Sequence, residues 1–285
     1  MANRTLYTKS EVNLPGGGSE AVGGTALLVN GVTSATFTKD TPREQVTVFG
    51  KKGQVDTVQN ESTTATIEFV FHPNEGTTGL EGIDPEAASA YFAQSHLQLL
   101  MTDAAQDTPT GQTVNVRSVG QLTNAILTSI TAEGSVGALP TITLGFDGNV
   151  GSTQGAVATS DTQSFTVANM ANVALVTAGA GGCTDAYAQS ASFNWEMPIE
   201  RLNKLGNSVE SATSYGTPPG TASISVEATD DPGAIISVQY GDWKFTLDSD
   251  SKVSNVTNNL AVGDIGATFN TTTEGVADGC AVAAA

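Results

Sequence analysis

Cysteine, histidine and basic side chains are scarce: two Cys, two His and 11 Lys plus Arg in 285 residues. Each scarcity closes off a class of function. Cys183 and Cys280 both lie in the second half; they read as two idle thiols, with a single disulfide as the alternative. His72 precedes a proline and His96 stands alone, and no Cys or His spacing suits zinc. There is no Gly-x-Ser-x-Gly elbow, and Gly16-Gly17-Gly18 has no following lysine to make a phosphate loop. An enzyme, a metal site and a cofactor are therefore not expected. Asp230-Asp231 and Asp248-Ser249-Asp250 are weak calcium candidates that fit no EF-hand pattern, and they read as turn carboxylates.

The few cations are also dispersed. Residues 1–150 hold 15 acids against 7 bases, the remainder 14 against 4, for a net charge of −18. No basic stripe is present to neutralise a nucleic-acid backbone or an anionic membrane. No apolar run approaches the ~18 residues of a membrane span. The opening Met-Ala-Asn-Arg-Thr-Leu-Tyr carries no hydrophobic signal region. A soluble product of a cytoplasm is the expectation. Aromatics make up only 6% of the chain. Thr, Val, Ser, Ala and Gly dominate instead, and β-branched Thr and Val suit pleated, half-buried strands.

What the chain does contain is an internal repeat. Ser34-Ala35-Thr36-Phe37, Pro42, Glu44, Val46, Phe49 and Gly50 return as Ser190-Ala191-Ser192-Phe193, Pro198, Glu200, Leu202, Leu205 and Gly206, at a constant offset of 156. Thr64-Ala65-Thr66-Ile67 returns as Thr221-Ala222-Ser223-Ile224 at an offset of 157. Val136-Gly137 ahead of Phe146-Asp147 is echoed more faintly by Val262-Gly263 ahead of Phe269-Asn270. Three echoes in one order describe a tandem duplication: residues 1–150, a linker at 151–164, and residues 165–285. The period is too long for a solenoid.

Strands are expected near 26–38 and 62–71. In the latter, Ala65, Ile67, Phe69 and Phe71 alternate with Thr66, Glu68 and Val70. The second copy keeps the phase, with Ala222, Ile224, Val226 and Ala228 against Ser223, Ser225 and Glu227. Residues 123–148 read as strand, turn, strand, leaving at Asp147-Gly148. The intervening polar stretches, 39–61 and 194–220, are longer than ordinary connectors and carry the best-matched residues, which gives them a task. A helix is expected from Asp84-Pro85-Glu86 to Met101, with Ala93, Leu97, Leu100 and Met101 on one face. Asp231-Pro232-Gly233-Ala234 is its faint counterpart.

The Ser-Ala-x-Phe…Pro-x-Glu-x-Leu-x-x-Leu-Gly segment followed by Thr221-Ala222-Ser223-Ile224-Ser225-Val226-Glu227 resembles the bacteriophage tail tube proteins. So does Leu127-Thr128-Ser129-Ile130 running through Ser135-Val136-Gly137-Ala138-Leu139-Pro140 to Phe146-Asp147-Gly148. The second copy lacks the Leu-Pro pair after Val262-Gly263, so its closing hairpin is less securely matched. The resemblance implies a mainly β chain of two tandem tail-tube-like β-sandwich domains, each with a flanking helix, assembling into a closed β-barrel ring. Rings of this family usually hold six domains and stack into a hollow tube through which double-stranded DNA passes without specific binding. Two domains per chain imply a homotrimeric, pseudo-sixfold ring, with a hexamer as the alternative; duplicated tube proteins of some long flexible tails are similar.

The same resemblance implies a virion tail assembled in the host cytoplasm. Its partners would be the tape measure, terminator and baseplate proteins, with no membrane involved. Phe37, Pro42, Glu44, Gly50, Phe193, Pro198, Glu200 and Gly206 then become candidates for a seam or arm between subunits. Locally, Pro42 and Pro198 start turns, Gly50 and Gly206 supply positive φ or close approach, and Glu44 or Glu200 either caps the turn or pairs with Arg43 or Arg201. Glu68 and Glu227 face either the lumen or an outer solvated surface; in a lumen they would repel passing phosphates. The rival readings are a head-decoration or fibre protein, and a single-ring terminator or baseplate hub.

Overall fold

The computed structural model describes residues 9–15, 26–28, 31–59, 63–73, 97–104, 116–150, 167–177, 188–202, 212–215, 220–260, 267–277 and 280–284. In the first half the strands are β1 (Lys9–Pro15), β2 (Ala26–Leu28), β3 (Val32–Asp40), β4 (Arg43–Val46) and β5 (Asp56–Gln59). They continue with β6 (Thr64–Phe71), β7 (Leu97–Ala104), β8 (Val116–Ser135) and β9 (Thr141–Val150). A 3-10 turn at Met170–Asn172 precedes β10 (Val173–Thr177), β11 (Ala188–Glu196), β12 (Ile199–Leu202), β13 (Ala212–Tyr215) and β14 (Thr221–Ala228). The last strands are β15 (Ile235–Tyr240), β16 (Trp243–Thr246), β17 (Lys252–Leu260), β18 (Ala267–Val276) and β19 (Ala281–Ala284). The protein is mainly β, as its composition implies.

One antiparallel sheet dominates. Through its centre the order is β3-β6-β9-β8-β11-β14-β18-β17. The first four strands and the last four are the same unit: β3, β6, β9 and β8 correspond to β11, β14, β18 and β17. The correspondence extends to irregularities of pairing. Thr33 is skipped in the β3–β6 ladder where Gln189 is skipped between β11 and β14. Thr128 is skipped between β8 and β9 where Ser254 is skipped between β17 and β18. Bulges are single inserted residues that bend a strand, so their repetition marks a common backbone.

The second layer repeats as well. β10 pairs with β15 and β15 with β16, as β1 pairs with β7 and β7 with the first half of β8. In the first unit the covering strand and the sheet strand are one 20-residue β8. In the second unit, residues 247–251 separate them into β16 and β17. β9 runs along one edge of β8, while the other edge passes from β7 to β11.

The core lies on the apolar face. Ala65, Ile67, Phe69 and Phe71 are buried together with Ile142, Leu144 and Phe146, and Phe69 stacks on Phe146 at 6.0 Å. In the second unit Phe193 stacks on Phe245 at 4.6 Å, and Trp195 donates its indole N–H to the Ala277 carbonyl at 3.1 Å. Phe71 meets Trp243 edge to face at 5.4 Å, so the two units share one core. Fully burying each such side chain contributes roughly 1.5–3 kcal/mol. A Cβ on Gly120 would strike the Phe37 ring, so glycine there lets β8 lie close over β3.

Three expectations are corrected. Leu97–Met101, the described end of the expected helix, belongs to strand β7, while residues 84–96 lie outside the described residues. Pairing to β1 on one edge and β8 on the other overrides the helical spacing of Leu97, Leu100 and Met101. At Asp231–Ala234 the chain bends, with the Gly233 N–H on the Asp231 carboxylate at 3.0 Å, and leads into β15. Asp147-Gly148 does not end a strand either, because β9 continues to Val150. Among the described residues the sheet of one chain is open, while the closed barrel is expected of the assembled ring.

Candidate assembly interface

Alternation gives the central sheet two unlike faces. Opposite the core, cross-strand partners are almost all hydroxyl, amide or carboxyl side chains: Thr36 with Glu68, Thr131 with Asn194, Asn194 with Ser223, Ser192 with Ser225. Asp40, Glu68, Glu133, Glu196, Glu227 and Glu274 stand on this face, and Lys252 is its only cation among the described residues. Among the described residues no strand packs across it. Both candidate lumen acids thus share the uncovered face, Glu68 exposed on β6 and Glu227 half-buried on β14.

The sheet's edges are equally specific. β8 and β11 pair from Ser129↔Glu196 to Ser135↔Ser190, joining the last strand of the first unit to the first strand of the second. The Tyr240 hydroxyl clasps this junction from the core side, 2.8 Å from the Ala191 carbonyl and 3.3 Å from that of Ala132. Burial, and then the charge of Glu133, push its pKa upward. At the two ends of the sheet, β3 and β17 each pair along one edge only among the described residues. They are the counterparts of β11 and β8. Phe193 lies in the internal junction opposite Ala132, and Phe37 holds the same place on the open edge.

The long polar stretches are hairpins. β4 pairs with β5 from Arg43↔Gln59 to Val46↔Asp56, and β12 with β13 from Ile199↔Tyr215 to Leu202↔Ala212. Pro42 and Pro198 sit half-buried at the two roots. Arg43 and Glu44 are successive residues of β4 and project from opposite sides, so they do not pair. Glu200 lies opposite Ser214. Gly50 has φ +88° at the tip of the first arm, a conformation that favours glycine. Gly206 lies outside the described residues. All of β4 and β5 is exposed, including Val46 and Val58, and the Phe49 ring is fully in solvent at 105% relative exposure. Sequence reading had not resolved these strands, because four-residue polar strands give too little alternation.

The remaining candidates have structural roles. The His72 ring bonds the Pro140 carbonyl at 2.9 Å, pinning the end of β6 to the β8–β9 turn. His96 and Cys183 lie outside the described residues. Cys280 is a free thiol whose pKa burial pushes up to about 11, against a lowering by the Asp248 backbone. Asp230 and Asp248 hold turns through bonds to the Asp231 N–H and the Ser249 hydroxyl. Among the described residues no three His, Cys, Asp or Glu side chains gather as a metal-binding group. No described helix is long and apolar enough to cross a membrane. In comparisons with known proteins, no family model and no curated protein matches the chain.

Proposed function

We propose that this chain is the subunit of a hollow tube, a bacteriophage tail tube made of stacked rings, in which each chain supplies two tandem tube domains at 1–150 and 165–285. The observation that carries the reading is the β8–β11 junction. Two copies of one unit are joined there head to tail, and the matching outer edges, on β17 and β3, have no partner strand among the described residues. The same pairing between chains, β17 of one onto β3 of the next, repeats the internal junction with no new kind of contact. A head-to-tail contact closes into a ring when its rotation permits and otherwise runs on as a filament. Closure removes both open edges of the central sheet.

Three chains, each contributing the eight central strands, make a barrel of about 24 strands. Barrels of 16–18 strands already enclose an aqueous channel. At ~4.8 Å between strands and a tilt of about 40°, the backbone cylinder is on the order of 45 Å across. The apolar face must turn outward under the second layer, so the acidic face lines the bore. Phosphates passing there meet six carboxylates against the single cation Lys252 among the described residues, so few groups could capture them. DNA is conducted without being bound. Tape measure, terminator and baseplate proteins are the further partners of such a tube, and the virion tail is its location.

Electron microscopy of the purified protein with mass per ring tests this. Hollow stacked filaments with three chains per ring are expected. Six chains per ring would keep the function and overturn the stoichiometry. Discrete particles that never stack at any concentration would replace the tube with a decoration or fibre protein, a terminator or a baseplate hub.

A further inference from the structure

The first arm and the far end of the sheet are chemically complementary. The turn from Thr47 to Val55 contains Lys51-Lys52, the only adjacent pair of basic residues in a chain of net charge −18, and no acid. Beside the lysines stand exposed Val48 and the fully solvated Phe49. No described residue covers this apolar tip, and a cluster of this kind marks a contact surface. The arm leaves the sheet where β3 ends and β6 begins, and the β8–β9 turn lies at the other end, since Phe71 pairs with Ile142 and Thr64 with Asn149. At most ~33 Å of chain separates Asp40 from Gly50, about the length of a long sheet strand.

At the turn end, the acidic face closes into a groove of about 580 Å³. Leu139, 52% exposed, lines it together with Glu133, Glu227, Ser190 and Ser192. Val136, 58% exposed, and the exposed Asp230 and Asp231 border the same end. Thus one end of the molecule offers an aromatic ring with two cations, and the other an apolar lip with carboxylates.

We infer that the Phe49-Gly50-Lys51-Lys52 tip docks into the Glu133–Leu139–Glu227 groove of a second copy of this chain. Phe49 lies against Leu139, and the lysines face Glu133 and Glu227. The contact joins unlike surfaces and therefore propagates from end to end. Its placement between successive rings rests on the tube reading, but the contact itself needs only two chains. Glu227 is then a rim residue neutralised by the arm, and Glu68 remains the open acid of the bore. The second arm, with Ile199-Glu200-Arg201-Leu202 in β12, lacks the basic pair.

The test places a benzophenone-bearing phenylalanine analogue at position 49 of the full chain and maps photo-crosslinks by mass spectrometry. Products between chains at residues 133–141 or 225–227 are expected, at a yield that falls as salt screens the charges. K51E/K52E should lower that yield about tenfold or more, and adding E133K/E227K should restore it. Crosslinks elsewhere, no crosslink between chains, or a yield indifferent to charge reversal would overturn the docking. Single rings lacking the crosslink would overturn it and leave the tube's edge pairing intact. Crosslinked chains that form no ring would uphold the docking and overturn the tube.

Discussion

Thr128 and Ser254 hold the same bulge in two copies of one sheet. The Thr128 hydroxyl donates to the Gly145 carbonyl at 3.1 Å, and the Ser254 hydroxyl to the Thr272 carbonyl at 3.3 Å. In each copy the acceptor is the cross-strand partner of the residue just after the bulge, Ser129↔Gly145 and Asn255↔Thr272. This equivalence fixes how β17 would receive a neighbour. Since β8 pairs Thr131 with Asn194, the corresponding pair between chains is Thr257 with Thr38.

That register is open to direct test. In a background with both native cysteines changed to serine, T38C/T257C should form a disulfide between chains on mild oxidation. Opposed Cα atoms lie about 4.5–5.5 Å apart, within disulfide range. T38C/V256C should not, because adjacent residues face opposite sides. Equal crosslinking by both pairs, or by neither in assembled protein, would remove the edge-pairing model.

Much of the central sheet was legible because its strands carry the strongest pattern. Phe69 and Glu68, or Val226 and Glu227, alternate without interruption, and the repeat spans those same strands. The fainter echo does not align by register: Val262-Gly263 lie outside the described residues, and Phe269, opposite Ala228, stands where Ile142 stands opposite Phe71, so Thr273 and not Phe269 is the counterpart of Phe146. Strand β7 was misread because apolar positions at Leu97, Leu100 and Met101 satisfy a helical period, while of its two partners only β8 follows it in the chain and β1 is remote in sequence. The open edges were invisible for a similar reason. A strand's freedom depends on every other strand's partner, which no local pattern encodes.

Tyr240 should make the junction sensitive to alkali. Tyr240→Phe removes a donor shared by the Ala132 and Ala191 carbonyls, at a cost of about 1 kcal/mol near neutral pH. The native fold holds the phenol proton more tightly than the unfolded chain, whose tyrosine titrates near ~10. Stability from this group is therefore complete below pH ~10 and declines as pH rises further. Cys280 has the same sign over a lower window, from an ordinary 9.0 to about 11. Urea midpoints between neutral and alkaline pH should fall less steeply for Tyr240→Phe above pH ~10. Parallel curves would show that Tyr240 does not set the alkaline limit.

The second unit carries a correctable defect. By register, Thr271 and Thr273 occupy the places of Leu144 and Phe146. Both are buried, and neither hydroxyl has a hydrogen-bond partner among the described residues. An unpaired buried hydroxyl costs about 1–3 kcal/mol. Thr273→Val keeps the shape and removes the penalty, so thermal or urea denaturation should show a gain of about 1–2 kcal/mol, with Thr271→Val similar. A loss of stability would mean that these hydroxyls are satisfied in the assembled protein.

The last prediction concerns the acidic face that would line the proposed bore. Glu68 is exposed, on the uncovered face, near the middle of β6, and away from the groove that Glu227 lines. In the proposed tube, Glu68→Lys would therefore change the bore without touching the inferred docking site of the arm. It would turn a repelling charge into a phosphate partner in every chain of the proposed ring. Charge acts over a Debye length of ~8 Å at physiological salt, and each added phosphate contact steepens the salt dependence of DNA affinity by about one unit of slope. Tails carrying Glu68→Lys should assemble with normal length yet release DNA more slowly, and the delay should shrink as salt is raised. The neutral Glu68→Gln should lie between Lys and wild type. Ejection kinetics unchanged in fully assembled Glu68→Lys tails would mean that this face does not line the path of the DNA.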